Sequence, residues 1–553
     1  MITIKGQGVC GGVAFGKLKL LKKNDNVKKN SHIENTGEEI KRFEDARIKA
    51  LNQLSELYEK ALGEIGEDNA MIFDIHRMML EDEDYINSIK SNITEQKYSA
   101  ESAVAITADN FAEMFSSMED SYMQARAADV RDISERIIDV LSSNDNADFI
   151  FDTPVIIAAE DLSPSVTVQL DKSKILAFVT EKGSSNSHTS ILARTMNIPA
   201  VIGVEGIMRN ENDGADVIVD GFTGSIYIDP DMQTVLKLKE KKQETEEKKE
   251  LLSKLKGVKP VTKDGQEILL YANIGSLEDL PAVYANDGMG VGLFRSEFIY
   301  LKSKTYPTED EQFLIYKSAA HKSLGKRLII RTLDIGADKQ ADYFQLPKEE
   351  NPAMGVRAIR ICLTRPEIFK TQLRALYRAS IFGKIAIMFP MITSVNEIKR
   401  IKDILNEVKR ELNEEKIPFN ENTEIGIMIE TPAAAIISDK LAKEVDFFSI
   451  GTNDLTQYAL AIDRQNPDAD AFCDTHHLAV LRLIKMVVDN SHKEGIWTGI
   501  CGELAGDMTL TEMFLAIGVD ELSVSPGLIL PLKEKILKTD VSKIRESLLS
   551  ELI

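Results

Sequence analysis

The segment from Ile425 to Asp454 holds two short apolar runs, Ile425-Gly-Ile-Met-Ile429 and Phe447-Phe-Ser-Ile450. Each ends in polar groups, Glu430-Thr-Pro after the first and Gly451-Thr-Asn-Asp454 after the second, with a helical stretch between them. Short β-branched and aromatic runs that alternate with helical segments read as parallel strands joined by crossover helices. The same unit recurs on both sides. Upstream lie Ile268–Asn273, Gly290–Phe294, Leu328–Leu333 and Ile385–Phe389, and downstream Trp497–Ile500 and Glu521–Val524. Eight β/α units in about 290 residues predict a TIM (β/α)8 barrel over 261–553. A doubly wound open sheet competes, but no Gly-x-Gly-x-x-Gly follows any of the runs.

Residues 230–260, dense in Lys and Glu with scattered leucines, read as a helical linker. Ahead of it, runs such as Thr153–Ala158, Ile175–Thr180, Val217–Val219 and Ser225–Ile228 predict a small β/α domain over 144–229. The Gly-punctuated, β-like residues 1–22 need a sheet to join, and this domain supplies one. The intervening 23–143 are then a helical insertion: Ile40, Phe43, Leu51, Leu54 and Ala61 recur at helical spacing, as do Val130, Ile133, Ile137 and Leu141. The fold class expected is therefore multidomain α/β, with a barrel, a small β/α domain and an inserted helical bundle.

The chain has 553 residues and a formal net charge of -21, which argues against a sequence-independent grip on nucleic acid or anionic lipid. No apolar run reaches the roughly 20 residues of a membrane span, and the N-terminus lacks a signal-peptide core, so a cytoplasmic location is expected. Four cysteines, at 10, 362, 473 and 501, lie far apart and suggest neither a disulfide framework nor a zinc site.

In a barrel the residues just beyond each strand build the active site. Here they are Arg295-Ser-Glu297, Arg331 with Asp334 and Lys339 following, Glu430, Asn453-Asp454 with Arg464 further on, and Cys501-Gly-Glu503. Glu430 and Asp454 are oxygen donors suited to Mg²⁺ or Mn²⁺ rather than zinc. The guanidinium forks of Arg295, Arg331 and Arg464 match a small substrate carrying phosphate and carboxylate, although several of these groups could instead pair with one another as structural salt bridges. Cys501 has two candidate roles, nucleophile or proton donor; donation needs only a neutral thiol in reach and is preferred. In the small domain, Gly183-Ser-Ser-Asn-Ser-His188-Thr-Ser-Ile-Leu-Ala-Arg194 sets His188 before a helix starting near Thr189. There the helix dipole and free N–H groups would favour a phosphoryl group on the ring, although on the residues alone His188 reads equally as an ordinary loop residue ahead of a helix.

Two stretches, Gly183–Arg194 and Asp446–Arg464, resemble the phosphohistidine and barrel signatures of the phosphoenolpyruvate-utilising enzymes. The domain order is similar to that of the family's protein phosphotransferases. The resemblance implies that His188 accepts the phosphoryl group, that Glu430 and Asp454 hold Mg²⁺, and that Arg295, Arg331, Lys339, Arg357, Asn453, Asp454 and Arg464 contact phosphoenolpyruvate. It also implies that Cys501 protonates the enolate, that Thr167 supplies a hydroxyl near His188, and that the helical region docks a phosphocarrier protein of the HPr type. The implied activity is phosphoryl transfer from phosphoenolpyruvate through His188 to HPr with release of pyruvate, the first step of phosphotransferase-system sugar uptake, by a homodimer joined through the barrel. The alternatives are a dikinase- or synthase-like enzyme, which would need a nucleotide-binding domain, and a regulatory paralogue serving another carrier. The sequence departs from the family pattern at Ser184 and Asn186, at Cys10-Gly-Gly12 and at His477-Leu478. None of these removes a reacting group.

Overall fold

The computed structural model describes residues 1–21, 31–65, 67–118, 121–142, 151–183, 189–190, 193–194, 198–336, 341–347, 349–463, 466 and 472–552. The chain divides into two compact units, Met1–Glu247 and Lys248–Ile553.

The first unit is built on an eight-stranded sheet: β1 (Ile2–Lys5), β2 (Gln7–Cys10), β3 (Val13–Leu21), β4 (Val155–Ala159), β5 (Ile175–Thr180), β6 (Ala200–Ile202), β7 (Asp216–Asp220) and β8 (Ser225–Ile228). Their order is β1-β8-β7-β3-β4-β5-β6-β2. The centre, β3 to β6, is parallel, whereas β7, β8, β1 and β2 join antiparallel. Every residue of β4 is buried, as a parallel strand covered on both faces should be. Parallel neighbours need a crossover, and the one from β3 to β4 carries the helices Thr36–Ile65, Glu67–Leu80, Glu83–Glu95, Ala100–Ser116 and Ser121–Leu141. Phe43, Ala50, Leu54, Phe73, Ile89, Val104 and Ile133 are wholly or almost wholly buried in a core of their own. Two helix starts are fixed by side-chain caps, Asp82 accepting from the Tyr85 N–H at 2.9 Å and Ser99 from the Ser102 N–H at 3.4 Å.

The helix Met232–Ser253 follows β8, and the boundary between the units falls within it. Leu238, packed beside Val13 and Ile218, is its buried residue. The rest is charged and mostly exposed, which is the pattern of a solvated helix rather than a core one.

In the second unit, among the described residues, eight parallel strands close into a barrel: β9 (Leu269–Ile274), β10 (Gly290–Arg295), β11 (Arg327–Arg331), β12 (Lys384–Phe389), β13 (Glu424–Ile429), β14 (Phe447–Ile450), β15 (Trp497–Ile500) and β16 (Glu521–Val524). β16 pairs with β9 through Glu521↔Leu269 and Leu522↔Leu270, which closes the ring. Tyr271, Leu293, Ile329, Met388, Met428, Phe447 and Cys501 pack together within it. At the base Phe447 stacks on Trp497 with ring centroids 4.7 Å apart, and Arg327 lies over Trp497 while pairing with Glu424 at 2.8 Å. Outside, the helix Val395–Glu414 shows why the crossovers form. Ser394 and Glu397 make a reciprocal cap at its start, and Ile398, Ile401, Leu405, Val408 and Leu412 recur every three or four residues to bury one face. Burying each such side chain is worth roughly 1.5–3 kcal/mol. No helix among the described residues is long and apolar enough to cross a membrane.

Candidate active site

The C-terminal ends of the barrel strands open into a cavity of about 760 Å³ lined by Arg295, Arg331, Asp334, Glu430, Asn453, Asp454, Cys473, Cys501 and Glu503 among others. Glu430 follows β13 directly and is almost fully buried. One of its oxygens accepts the Met391 N–H at 2.5 Å. Met391 holds that N–H from a backbone with φ +56°, an uncommon conformation for a residue with a side chain.

Asp454 stands in the first turn of the helix Thr452–Leu460, whose N-cap is Gly451. A Cβ at Gly451 would lie 2.8 Å from Glu430 Oε2, so only glycine lets the helix start this close to the carboxylate. Burial pushes the Glu430 carboxyl up to about 8, helped by the nearby negative charges of Asp454 and Asp334 and opposed by Arg331 and Arg357. Carboxylates crowded against one another under little solvent are a site that a divalent cation would relieve. Their all-oxygen donors suit a hard ion. Two carboxylates do not fill the coordination shell of a hard divalent ion, so an ion here would keep open positions for substrate or water.

The cations are held by a chain of carboxylates. Arg331, at the end of β11, pairs with Glu297 and, at 3.0 Å, with Asp334. Asp334 also pairs with Arg357 at 3.1 Å, and Arg357 reaches Asp454 at 3.4 Å and the Tyr458 hydroxyl at 3.3 Å. Against the cost of burial, Asp334 and Glu297 hold Arg331 charged, and Asp334 and Asp454 do the same for Arg357. Gly336, at φ +114°, lets the chain pass over Arg357, because a Cβ there would meet that of Arg357 at 2.4 Å. Arg331 is thus salt-bridged and cavity-facing at once. Arg295, by contrast, has no carboxylate within salt-bridge distance among the described residues and lines the same cavity. Asn453 and Glu503 tie two strand ends together, Asn453 Nδ2 donating to Glu503 Oε1 at 3.0 Å and the Glu503 N–H donating to Asn453 Oδ1 at 2.9 Å.

Cys501 follows β15 and is 3% exposed. Its thiol lies 3.7 Å from the Ile450 carbonyl, and its own carbonyl accepts from Asn273 Nδ2 at 2.9 Å. Burial pushes the thiol up to about 12, so it stays protonated at neutral pH and is a poor nucleophile but an available proton donor.

The structure therefore brings Arg295, Arg331, Glu430, Asn453, Asp454 and Cys501 to one cavity, with Arg357 tied in through Asp334 and Asp454. His188, Lys339 and Arg464 lie outside the described residues. Thr189 and Ser190, next to His188 in sequence, are helical and buried, and Thr167 is buried in the helix Pro164–Gln169, which Ser163 caps. The bridging role of Asp334 is not readable from residue types. Its spacing, three residues after Arg331, is the one available signal.

Comparison with known proteins agrees with this geometry. The PEP-binding domain of PEP-utilising enzymes matches residues 249–541, their N-terminal domain residues 5–126 and their mobile domain residues 151–224. The chain belongs to the PEP-utilising enzymes. Within that family it is 42% identical over 555 residues to a phosphoenolpyruvate-protein phosphotransferase of Bacillus subtilis, covering 100% of this chain and 97% of that one. It is also 42% identical to a protein of the same name from Listeria monocytogenes, over 98% of this chain and 95% of that one. A solution structure described as Enzyme I (nEIt) is 34% identical, with a TM-score of 0.38, and covers 44% of this chain and 99% of that one.

Proposed function

We propose that this chain is a phosphoenolpyruvate-protein phosphotransferase that moves the phosphoryl group of phosphoenolpyruvate to His188 and on to an HPr-type phosphocarrier protein, releasing pyruvate. The observation that carries the reading is the meeting of Glu430, Asp454, Arg295, Arg331 and the buried thiol of Cys501 in one barrel-mouth cavity. The full-length likeness to proteins of that name supports it.

In this reading Arg295 and Arg331, with Lys339 and Arg464, hold the phosphate and carboxylate, and Asn453 helps orient the substrate. Glu430 and Asp454 would hold a magnesium ion, which when bound supplies positive charge to the phosphate oxygens. The bond between phosphorus and the enol oxygen breaks as a bond to a ring nitrogen of His188 forms, and the enolate oxygen keeps the electron pair. Cys501 then gives its S–H proton to the enolate carbon, and pyruvate results. Transfer of this kind rests on placement and charge neutralisation, which accounts for the density of guanidinium groups.

The carrier would dock on the helices between β3 and β4. Met71 and Met78, one heptad apart on a helix, and Met114 on another are exposed, and Glu81, Asp82, Glu83, Asp84 and Glu113 near them in sequence are exposed too. Exposed methionines on helices that also carry exposed carboxylates suit a partner with a basic face. The protein would act in the cytoplasm, as a homodimer joined through the barrel. The test is transfer of label from phosphoenolpyruvate to a panel of HPr-type proteins with Mg²⁺ present. Labelling of at least one carrier is expected, and a chain that labels itself yet none of them would sink the carrier assignment.

A further inference from the structure

Arg295 and Arg331, the guanidinium groups read as holding phosphoenolpyruvate, are neighbours across two strands. They are the last partners in the register of β10 and β11, and both line the cavity. Beyond them side chains take over from the backbone ladder. Ser296, directly after Arg295, is wholly buried, and its hydroxyl donates to the Arg331 carbonyl at 2.6 Å.

A glutamine from an outer helix holds that junction. Gln372 lies on the helix Pro366–Ala379, in the crossover from β11 to β12, and is wholly buried. Its amide nitrogen donates to Ser296 Oγ at 2.9 Å and to the Tyr316 hydroxyl at 3.1 Å, and its amide oxygen accepts the Leu333 N–H at 2.9 Å. A backbone N–H can only donate, so the Leu333 contact fixes which way the amide points. With its oxygen accepting from Gln372, the Ser296 hydroxyl is free to give its proton to the Arg331 carbonyl. The Tyr316 hydroxyl likewise passes its proton on to Gln312 Oε1 at 3.2 Å, one turn back on the helix Glu309–Lys322. Gln372 is thereby bonded to the residue after Arg295 and to the second residue after Arg331.

We propose that Gln372 is a positioning residue for phosphoenolpyruvate binding, holding Arg295 and Arg331 in register at the barrel mouth while touching no substrate itself. The inference rests on the reading that these two arginines hold the substrate's phosphate and carboxylate. Glu297 and Asp334 fix the guanidinium of Arg331, whereas Gln372 and Ser296 fix the backbone from which it extends. Arg295 has no carboxylate within salt-bridge distance among the described residues, so the hold on Ser296, its neighbour in sequence, bears on it most. Without the amide, the buried Leu333 N–H and Ser296 hydroxyl each lose a partner, and the two strand ends must shift to recover one. A displacement on the order of 1 Å in groups that place a substrate can cost about 100-fold in rate.

The test uses the full chain with Mg²⁺, phosphoenolpyruvate and an HPr-type acceptor. Gln372→Met keeps the length of the side chain and removes its hydrogen bonds, so KM for phosphoenolpyruvate should rise about 10-fold and kcat/KM should fall by up to about 100-fold. Exchange of label between the phosphorylated carrier and the chain, which needs no phosphoenolpyruvate, should keep its wild-type rate. Gln312→Met controls for a merely structural loss: Gln312 is almost as deeply buried and bonds the same Tyr316 hydroxyl, yet its other partners are Tyr300 and Pro307 rather than Ser296 and Leu333. Its KM should match wild type. A wild-type KM in Gln372→Met, or an equal rise in both variants, would overturn the positioning role. Arg295→Ala, assayed alongside, separates the two readings: if it raises KM while Gln372→Met does not, the positioning role alone fails, and if it too keeps the wild-type KM, the substrate reading fails with it. Should Gln372→Met not fold, Ser296→Ala, which cuts the tie to Arg331 by removing a hydroxyl, decides: an unchanged KM refutes the proposal.

Discussion

Gly451→Ala isolates the contact on which the carboxylate pair depends. Gly451 has φ -85° and ψ 82°, a negative φ that alanine also adopts, so the substitution adds one methyl group and little backbone strain. That methyl would lie 2.8 Å from Glu430 Oε2, 3.0 Å from Glu430 Cβ and 3.1 Å from Met428 Cε. Ordinary contact begins near 3.4 Å, so the Glu430 carboxylate must retreat by about 0.6 Å, the difference from 2.8 Å. Metal–ligand distances tolerate only about 0.2 Å. Affinity for a divalent cation should therefore fall about 10–100-fold, the range seen when a ligand's support is disturbed. Overpacking should cost about 1–3 kcal/mol of barrel stability. Titration with Mn²⁺, followed by electron paramagnetic resonance, reads the first effect without any turnover. Gly527→Ala, where a Cβ would meet nothing within 4 Å, is the control and should bind Mn²⁺ as wild type does. Unchanged Mn²⁺ affinity in Gly451→Ala would refute the assignment of Glu430 as a ligand.

Cys501→Ala should keep phosphoenolpyruvate binding and lose about 10²–10⁴-fold in pyruvate formation, the usual contribution of a positioned acid, as measured by a coupled pyruvate assay. With its thiol pushed up to about 12, Cys501 should alkylate slowly at pH 7.5, at a rate that rises about tenfold per pH unit without a plateau below pH 10; mass spectrometry of iodoacetamide adducts checks this, and a plateau near pH 8 would contradict it. Asp334→Ala leaves Arg331 and Arg357 without their shared carboxylate and should cost about 3–5 kcal/mol, seen as a lower melting temperature of the barrel. Ser394→Ala removes a helix cap remote from the cavity and should cost about 0.5–2 kcal/mol in thermal unfolding with turnover unaltered.

The barrel is legible because its strands are buried on both faces, so each reads as a continuous apolar run with a polar residue where the strand ends. The runs at Trp497–Ile500 and Glu521–Val524 coincide with β15 and β16 residue for residue. β6, Ala200–Ile202, escapes such a reading because three residues carry no period, and it exists through pairing with β5 and β2. The ligand-type residues at the strand ends are equally legible, since a barrel offers them only one place to meet. Their mutual pairing is not. Asp334 could face either way, and its bridge between Arg331 and Arg357 depends on side chains from separate segments. Glu521 reads as an ordinary strand residue, because the glycines that make room for its carboxyl, Gly292 and Gly499, lie on other strands.

The central claim is that His188 carries the phosphoryl group. The chain should be incubated with Mg²⁺ and phosphoenolpyruvate labelled in the phosphoryl group, then digested under conditions that preserve acid-labile phosphate and mapped by mass spectrometry. The account predicts one labelled site, on the peptide containing His188, with none in His188→Ala. Equal labelling of wild type and His188→Ala, or a phosphate mapped to another residue, would contradict it.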